Sequence, residues 1–149
     1  MRLERWFWLN RFKPILERIP KIKYDRIESG ISPSVPDLAI SGETGHGWIE
    51  MKIAKVTKDS FKLSTMSMGQ VVWIRDRGAL CGMVYIVAWD KDMDYMWLFD
   101  HQHGDELGGG VAWDKIREYS IFCEFGLNRD RWSMVLSKIF NGGETPVLK

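Results

Sequence analysis

The chain has 149 residues, 45% of them hydrophobic, with 21 basic and 20 acidic side chains. That length suits one domain with a real core, and that apolar share excludes an intrinsically disordered chain. A net charge of +1 excludes a bulk polycation, so attraction to nucleic acid depends on where the charges lie.

Residues 2–19 read as a helix with Leu3, Trp6, Phe7, Ile15 and Leu16 on its apolar face. Pro14 should break or kink it, and Pro20 ends it. Residues 21–28 alternate and read as a strand, followed by a loop over 29–36 that holds Gly30, Pro33 and Pro36. Residues 37–40 and 47–53 are the next strands, joined by a Gly-rich hairpin loop from Ser41. Residues 55–62 are polar and predict a loop. Ser64 is the expected N-cap of a helix over 65–77, with Met66, Gln70, Trp73 and Ile74 in one stripe and Gly78 as its stop. Buried strands follow over 82–89 and 95–99, linked by an acidic turn. Gly108-Gly109-Gly110 predicts a flexible break, 111–119 and 129–140 short helices, and 141–149 a loose tail. The order predicts one α/β (α+β) domain over 1–149, a mixed central sheet flanked by helices, with its core at 22–100 and a helical extension at 111–140.

Asp37 opens one of these strands, and Glu50 and Lys52 interrupt the next. Positions i and i+2 of a strand share a face, so Glu50 and Lys52 project together while Ile49, Met51 and Ile53 face the other way. Hairpin pairing brings Asp37 beside them. Two acids and an amine on one sheet edge suit a divalent cation beside a phosphodiester, with Asp37 and Glu50 as ligands of Mg²⁺ (Mn²⁺ in substitution) and Lys52 positioning the attacking water. A Glu-x-Lys on a strand is also a common structural ion pair. Gln70 stands among Met and Trp, where an amide is costly to bury without a partner at the site or on the backbone. Lys55, Lys58, Lys62 and Ser34 are candidate DNA contacts, with Ser32 beside them.

The charges are unevenly spread. Bases outnumber acids before Arg26 and between Lys52 and Arg77, whereas Asp90, Asp92, Asp94, Asp100, Asp105 and Glu106 open an acidic second half. The proposed site lies in the basic half. Cys81 and Cys123 sit in apolar segments without metal-binding spacing and predict two buried free thiols in a reducing compartment. No apolar stretch of about 18 residues and no signal peptide is visible, which predicts a soluble cytoplasmic protein. His101-Gln102-His103 with Asp105 reads as a polar loop rather than a metal site.

The segments Arg26-Ile27-Glu28-Ser29, Pro36-Asp37, Trp48-Ile49-Glu50-Met51-Lys52, Leu63-Ser64 leading to Gln70 and Trp73-Ile74, and the strand Met83-Val84-Tyr85-Ile86-Val87 together resemble the PD-(D/E)xK nuclease superfamily. Within it they resemble the VRR-NUC and Holliday-junction resolvase-like branch, including small phage-encoded members. The resemblance covers residues 26–100. It implies a restriction-endonuclease-like core and a Mg²⁺-dependent endonuclease that cuts branched DNA in recombination as a homodimer, within the host cytoplasm if phage-encoded. It implies that the Met51 carbonyl completes the metal site. It also implies that Glu28, or in its place Glu17 or Glu4, adds a further acid, and it supports Gln70 as a site residue. The alternative is a catalytically inactive nuclease-like module that binds DNA or protein.

Overall fold

The structure, a computed structural model, describes residues 2–27, 36–64 and 66–142. It opens with α1 (Leu3–Phe7), a π-helical turn (Trp8–Phe12) and α2 (Lys13–Glu17). Pro14 does not break this run. In the π turn the Lys13 N–H reaches back to the Trp8 carbonyl, five residues away. Pro14 then stands in the first turn of α2, where its missing N–H costs little.

The strands β1 (Lys23–Arg26), β2 (Leu38–Ser41), β3 (His46–Val56), β5 (Val84–Asp90), β6 (Tyr95–Phe99) and β8 (Ser120–Phe125) lie side by side in that order. β3 and β5 are parallel, joined across α3 (Met68–Cys81), and the other neighbours are antiparallel. β4 (Ser60–Leu63) pairs with β3, and β7 (Val111–Ala112) pairs with β4. The predicted mixed sheet flanked by helices is therefore present, with eight strands among the described residues rather than five.

Alternation along β3 divides the core. Ile49, Met51 and Ile53 join a cluster beneath α1, α2 and α6 (Arg129–Asn141). On that face Trp89 stacks against Trp6 at 5.2 Å and Phe7 at 5.5 Å. Ala54 joins a second cluster beneath α3, β4, α4 (Gly104–Gly109) and α5 (Trp113–Tyr119).

Several elements differ from the sequence expectation. Helix α3 begins at Met68 with Ser67 as its N-cap, so Met66 lies before it. It runs through Gly78, where a Cβ would meet the His101 ring, and ends at Gly82, whose φ of 71° is left-handed. The predicted loop over 55–62 is the end of β3 and most of β4, held by Phe61 and Leu63 in the core. The predicted Gly break is the end of α4, anchored by buried Leu107, and β7 precedes α5. Cys81 and Cys123 are exposed, not buried. The tail from 143 onward lies outside the described residues.

Candidate metal centre at a gap in the sheet edge

The site sits where one edge of β3 changes partners. The Trp48 N–H donates to the Met83 carbonyl, toward β5. Alternate residues point the opposite way, so Ile49, Met51 and Ile53 direct their backbone groups to the other edge. β2 uses that edge as far as the Leu38–Ile49 pair, and the Ser64 N–H resumes it at the Ile53 carbonyl, just beyond β4. Between them the ladder is open at Met51.

Asp37, the residue before β2, fills the opening. Its Oδ2 accepts the Met51 N–H at 2.9 Å, in place of a strand partner. Its own N–H donates to Glu50 Oε2 at 3.2 Å. The Met51 carbonyl points to the same edge as its N–H. Glu50 and Lys52 lie on the α3 face of β3, 2% and 4% exposed, with Lys52 Nζ 3.4 Å from Glu50 Oε1. Gln70 of α3 closes the group: Nε2 donates to Glu50 Oε1 at 3.1 Å, and Oε1 accepts Lys52 Nζ at 3.0 Å.

Gln70 is held by a capping box. The Ser67 Oγ accepts the Gln70 N–H, and Gln70 Oε1 also accepts the Ser67 N–H, each at 3.2 Å. One side-chain oxygen thus joins the start of α3 to Lys52. The role of Ser67 was missed in the sequence, although Ser67-Met68-Gly69-Gln70 carries the Ser-x-x-Gln signature.

Burial pushes the Glu50 carboxyl upward, the charge of Asp37 adds to it, and Lys52 only partly opposes them, so its pKa rises from 4.5 to about 8. Replacing such a group with apolar side chains of similar volume commonly leaves stability unchanged or improved. Two adjacent carboxylates are donors suited to a hard divalent cation, and each oxygen keeps lone-pair capacity beyond the bonds described. Asp37 is the more exposed member of the pair.

The sequence matches no family model and no curated protein. Among solved structures it is similar to Hjc, a Holliday junction resolvase from the archaeal hyperthermophile Archaeoglobus fulgidus. The identity is 16% and the TM-score 0.42, over 79% of this chain and 98% of that one. A likeness this distant assigns no role to any side chain.

Of the predicted site residues, Asp37, Glu50, Lys52, Gln70 and the Met51 backbone come together. Glu28, Ser34 and Ser32 lie outside the described residues. Glu4 and Glu17 belong to the helices on the opposite face of the sheet, where Glu17 meets Lys13 and Tyr24, so neither reaches this group. Lys55 and Lys62 stand directly opposite each other on the β3–β4 hairpin, with Lys58 in its turn. Alternation turns Lys55 and Lys62 away from the face that carries Lys52. His103 stacks on Tyr119 at 3.8 Å. Among the described residues no three His, Cys, Asp or Glu side chains converge as a metal site. No helix among them is long and apolar enough to cross a membrane.

Proposed function

We propose that the protein is a metal-dependent endonuclease that hydrolyses phosphodiester bonds in DNA, with branched DNA such as a four-way junction as its substrate. The observation that carries this reading is the burial of Glu50 and Lys52, tied by hydrogen bonds to half-buried Gln70, against Asp37. The resemblance to the VRR-NUC and resolvase-like branch of the PD-(D/E)xK nucleases, with its phage-borne, cytoplasmic setting, belongs to the same proposal.

In this reading Asp37, Glu50 and the Met51 carbonyl hold Mg²⁺, with Mn²⁺ able to substitute and Glu28 as a further ligand. When bound there, the ion supplies positive charge at the phosphate and acidifies a coordinated water. Lys52 aims its ammonium at the attacking water and at the charge that develops on the phosphate. Gln70 fixes both Lys52 and Glu50, which keeps the ammonium from drifting as the substrate arrives. Lys55, Lys58, Lys62 and Ser34 contact backbone phosphates away from the bond that breaks. Two strands of a junction are related by a two-fold axis, which suits a homodimer.

The test is cleavage of a labelled four-way junction, a flap and a linear duplex in Mg²⁺ or Mn²⁺. The junction is expected to be cut, and Lys52→Ala or Asp37→Asn to slow the cut by about 10²–10³-fold. Calorimetry should detect Mg²⁺ binding that Asp37→Asn weakens. One observation favours a second reading: Glu50, Lys52 and Gln70 already satisfy one another, as a structural group in a non-catalytic DNA- or protein-binding module would. Absence of both Mg²⁺ binding and cleavage would select that reading and discard the nuclease.

A further inference from the structure

The two elements that hold Glu50, Lys52 and Gln70 continue past them together. On β3, alternation puts His46 and Trp48 in one row with Glu50 and Lys52. On α3, Trp73 and Arg77 follow Gln70 along one stripe of the helix. The rows stay matched because α3 carries the chain back between the parallel strands β3 and β5. Gln70 meets Glu50 and Lys52, and one step on Trp73 meets Trp48 edge to face at 5.4 Å. Beyond them His46 lies edge to face against Trp48 at 5.6 Å, and the Arg77 guanidinium lies 4.8 Å over the Trp73 ring. Trp48 and Trp73 are half-buried, whereas His46 and Arg77 are exposed. A groove of about 520 Å³ opens along α3 beside Trp73 and Arg77, passing Gly69, Val72 and Leu80.

We propose that this strip is a subsite for an unpaired nucleobase of the DNA strand that enters the Asp37–Glu50 site, with the base stacked on the Arg77 guanidinium and the guanidinium stacked on Trp73. The inference deepens the nuclease reading and rests on it for the path of the strand. Three observations select an unpaired base as the occupant.

The first is the stack. Arg77 is exposed, so the guanidinium face turned from Trp73 is open to a ligand. A guanidinium is flat, and bases stack on it as they do on aromatic rings. Bases inside a duplex have both faces covered by their neighbours, so the contact selects a base that has left the stack.

The second is charge. Arg11 and Arg131 also lie over aromatic rings, but each is tied to a carboxylate, Asp94 and Glu124 respectively. Among the described residues Arg77 is tied to none. The acid that lines the groove, Asp76, is paired with Arg75 at 3.2 Å. The groove therefore keeps a positive charge that suits the phosphate attached to a stacked base.

The third is distance. Arg77 stands two helical turns, roughly 10 Å, from Gln70 along α3. That is about three steps of a strand whose nucleotides repeat at roughly 3.4 Å. A strand with its phosphate beside Lys52 reaches the subsite without a gap.

The test uses a mixed-sequence strand of about twelve nucleotides that carries one 2-aminopurine, single-stranded or paired into a duplex, in chelator so that nothing is cut. 2-Aminopurine loses fluorescence when it stacks. The native chain is expected to bind the single strand and quench it. Arg77→Lys keeps the charge and removes the plane, so it should raise the dissociation constant of the single strand about tenfold, abolish the quench and leave the duplex within about twofold. Trp73→Leu should do the same. Circular dichroism melts establish that each variant folds, and the exposed Arg77 keeps the test intact should Trp73→Leu fail to fold. A native chain that does not bind the single strand, or binds it without quenching, overturns the inference. So does an Arg77→Lys chain that binds and quenches as the native one does. Cleavage of the four-way junction in Mg²⁺, run alongside, reports on the nuclease reading separately: quenching without cleavage keeps the subsite and discards the nuclease, and cleavage without quenching does the reverse.

Discussion

Replacing Glu50 with Gln in metal-free protein should remove the loss of stability that the native fold undergoes as pH rises. Burial, then Asp37, hold the Glu50 carboxyl near 8 in the folded state, against 4.5 for an ordinary carboxyl. A folded-state pKa raised above the unfolded one means that the native state binds the extra proton between those two values. Stability therefore falls as pH rises from about 4.5 to about 8 and is level above that range. Between about pH 5 and pH 9 the full shift corresponds to roughly 4 kcal/mol. Water entry and relaxation around Asp37 should reduce this to about 2 kcal/mol, or roughly 4–8 °C in Tm for a chain of this size. The amide in Glu50→Gln keeps an oxygen for the Asp37 N–H but turns an NH2 toward Gln70 Nε2 and Lys52 Nζ, which lowers its stability by a constant amount; it carries no charge, so its melting profile should lose this slope. The assay is thermal melting of both proteins in a chelator across that pH range, repeated with Mg²⁺. Mg²⁺ should restore the native protein at high pH and leave the variant nearly unmoved. Parallel profiles of the two proteins would mean that Glu50 ionises like a surface carboxyl, and the argument from burial would fail.

Ser67→Ala should cost about 1 kcal/mol of stability through the lost cap and should also slow cleavage, because Gln70 loses its anchor; Ser67→Asp should recover both, read by melting and by single-turnover rates. Lys62→Glu places opposite charges on the Lys55–Lys62 pair, so it should raise stability by roughly 0.2–1 kcal/mol while weakening DNA binding and lowering its salt slope, a divergence measured by melting and by fluorescence titration. Asp94→Asn should cost about 1.5–3 kcal/mol at neutral pH. Burial pulls the Asp94 carboxyl upward, but hydrogen bonds from Arg11 and Trp89 hold it below its usual value, so its contribution is present above that value and lost as pH falls through the lowered one. The native protein and Asp94→Asn should therefore converge in acid, and a constant gap across pH would remove the electrostatic explanation.

The site was legible because its residues break their own patterns. Glu50 and Lys52 interrupt an apolar run and share the face away from Ile49, Met51 and Ile53, and Gln70 interrupts a stripe of Met, Trp and Ile, where its amide required a polar partner that Glu50 and Lys52 supply. The start of α3 was not settled by cap residue alone, since Ser64 and Ser67 both qualify; the glutamine three residues after Ser67 decides it. Gly78 reads as a stop only in the absence of His101, which comes from 23 positions further on and packs against it. β7 has two residues and pairs with β4 about fifty positions earlier, a contact with no local signal. Cys123 lies among apolar residues, but the side of β8 it faces has no covering layer, so apolar neighbours in sequence did not mean burial.

The opening in the sheet edge ties the fold to the site more closely than either carboxylate does alone. A backbone N–H left without a partner inside a sheet is costly, so the Met51 N–H must be met by something once β2 has ended and before β4 begins. Asp37 meets it with a side-chain oxygen, and that bond also fixes where its carboxylate stands relative to Glu50. Extending β2 by one more ladder pair would satisfy Met51 with a carbonyl and release the Asp37 carboxylate from its post. Asp37→Asn keeps an oxygen for the Met51 N–H, whereas Asp37→Ala leaves that N–H without its partner. Asp37→Ala should therefore cost about 1–3 kcal/mol more stability than Asp37→Asn, while both weaken metal binding. Equal stabilities would mean that the opening is held by something other than Asp37, and the placement of the carboxylate would then need a different cause.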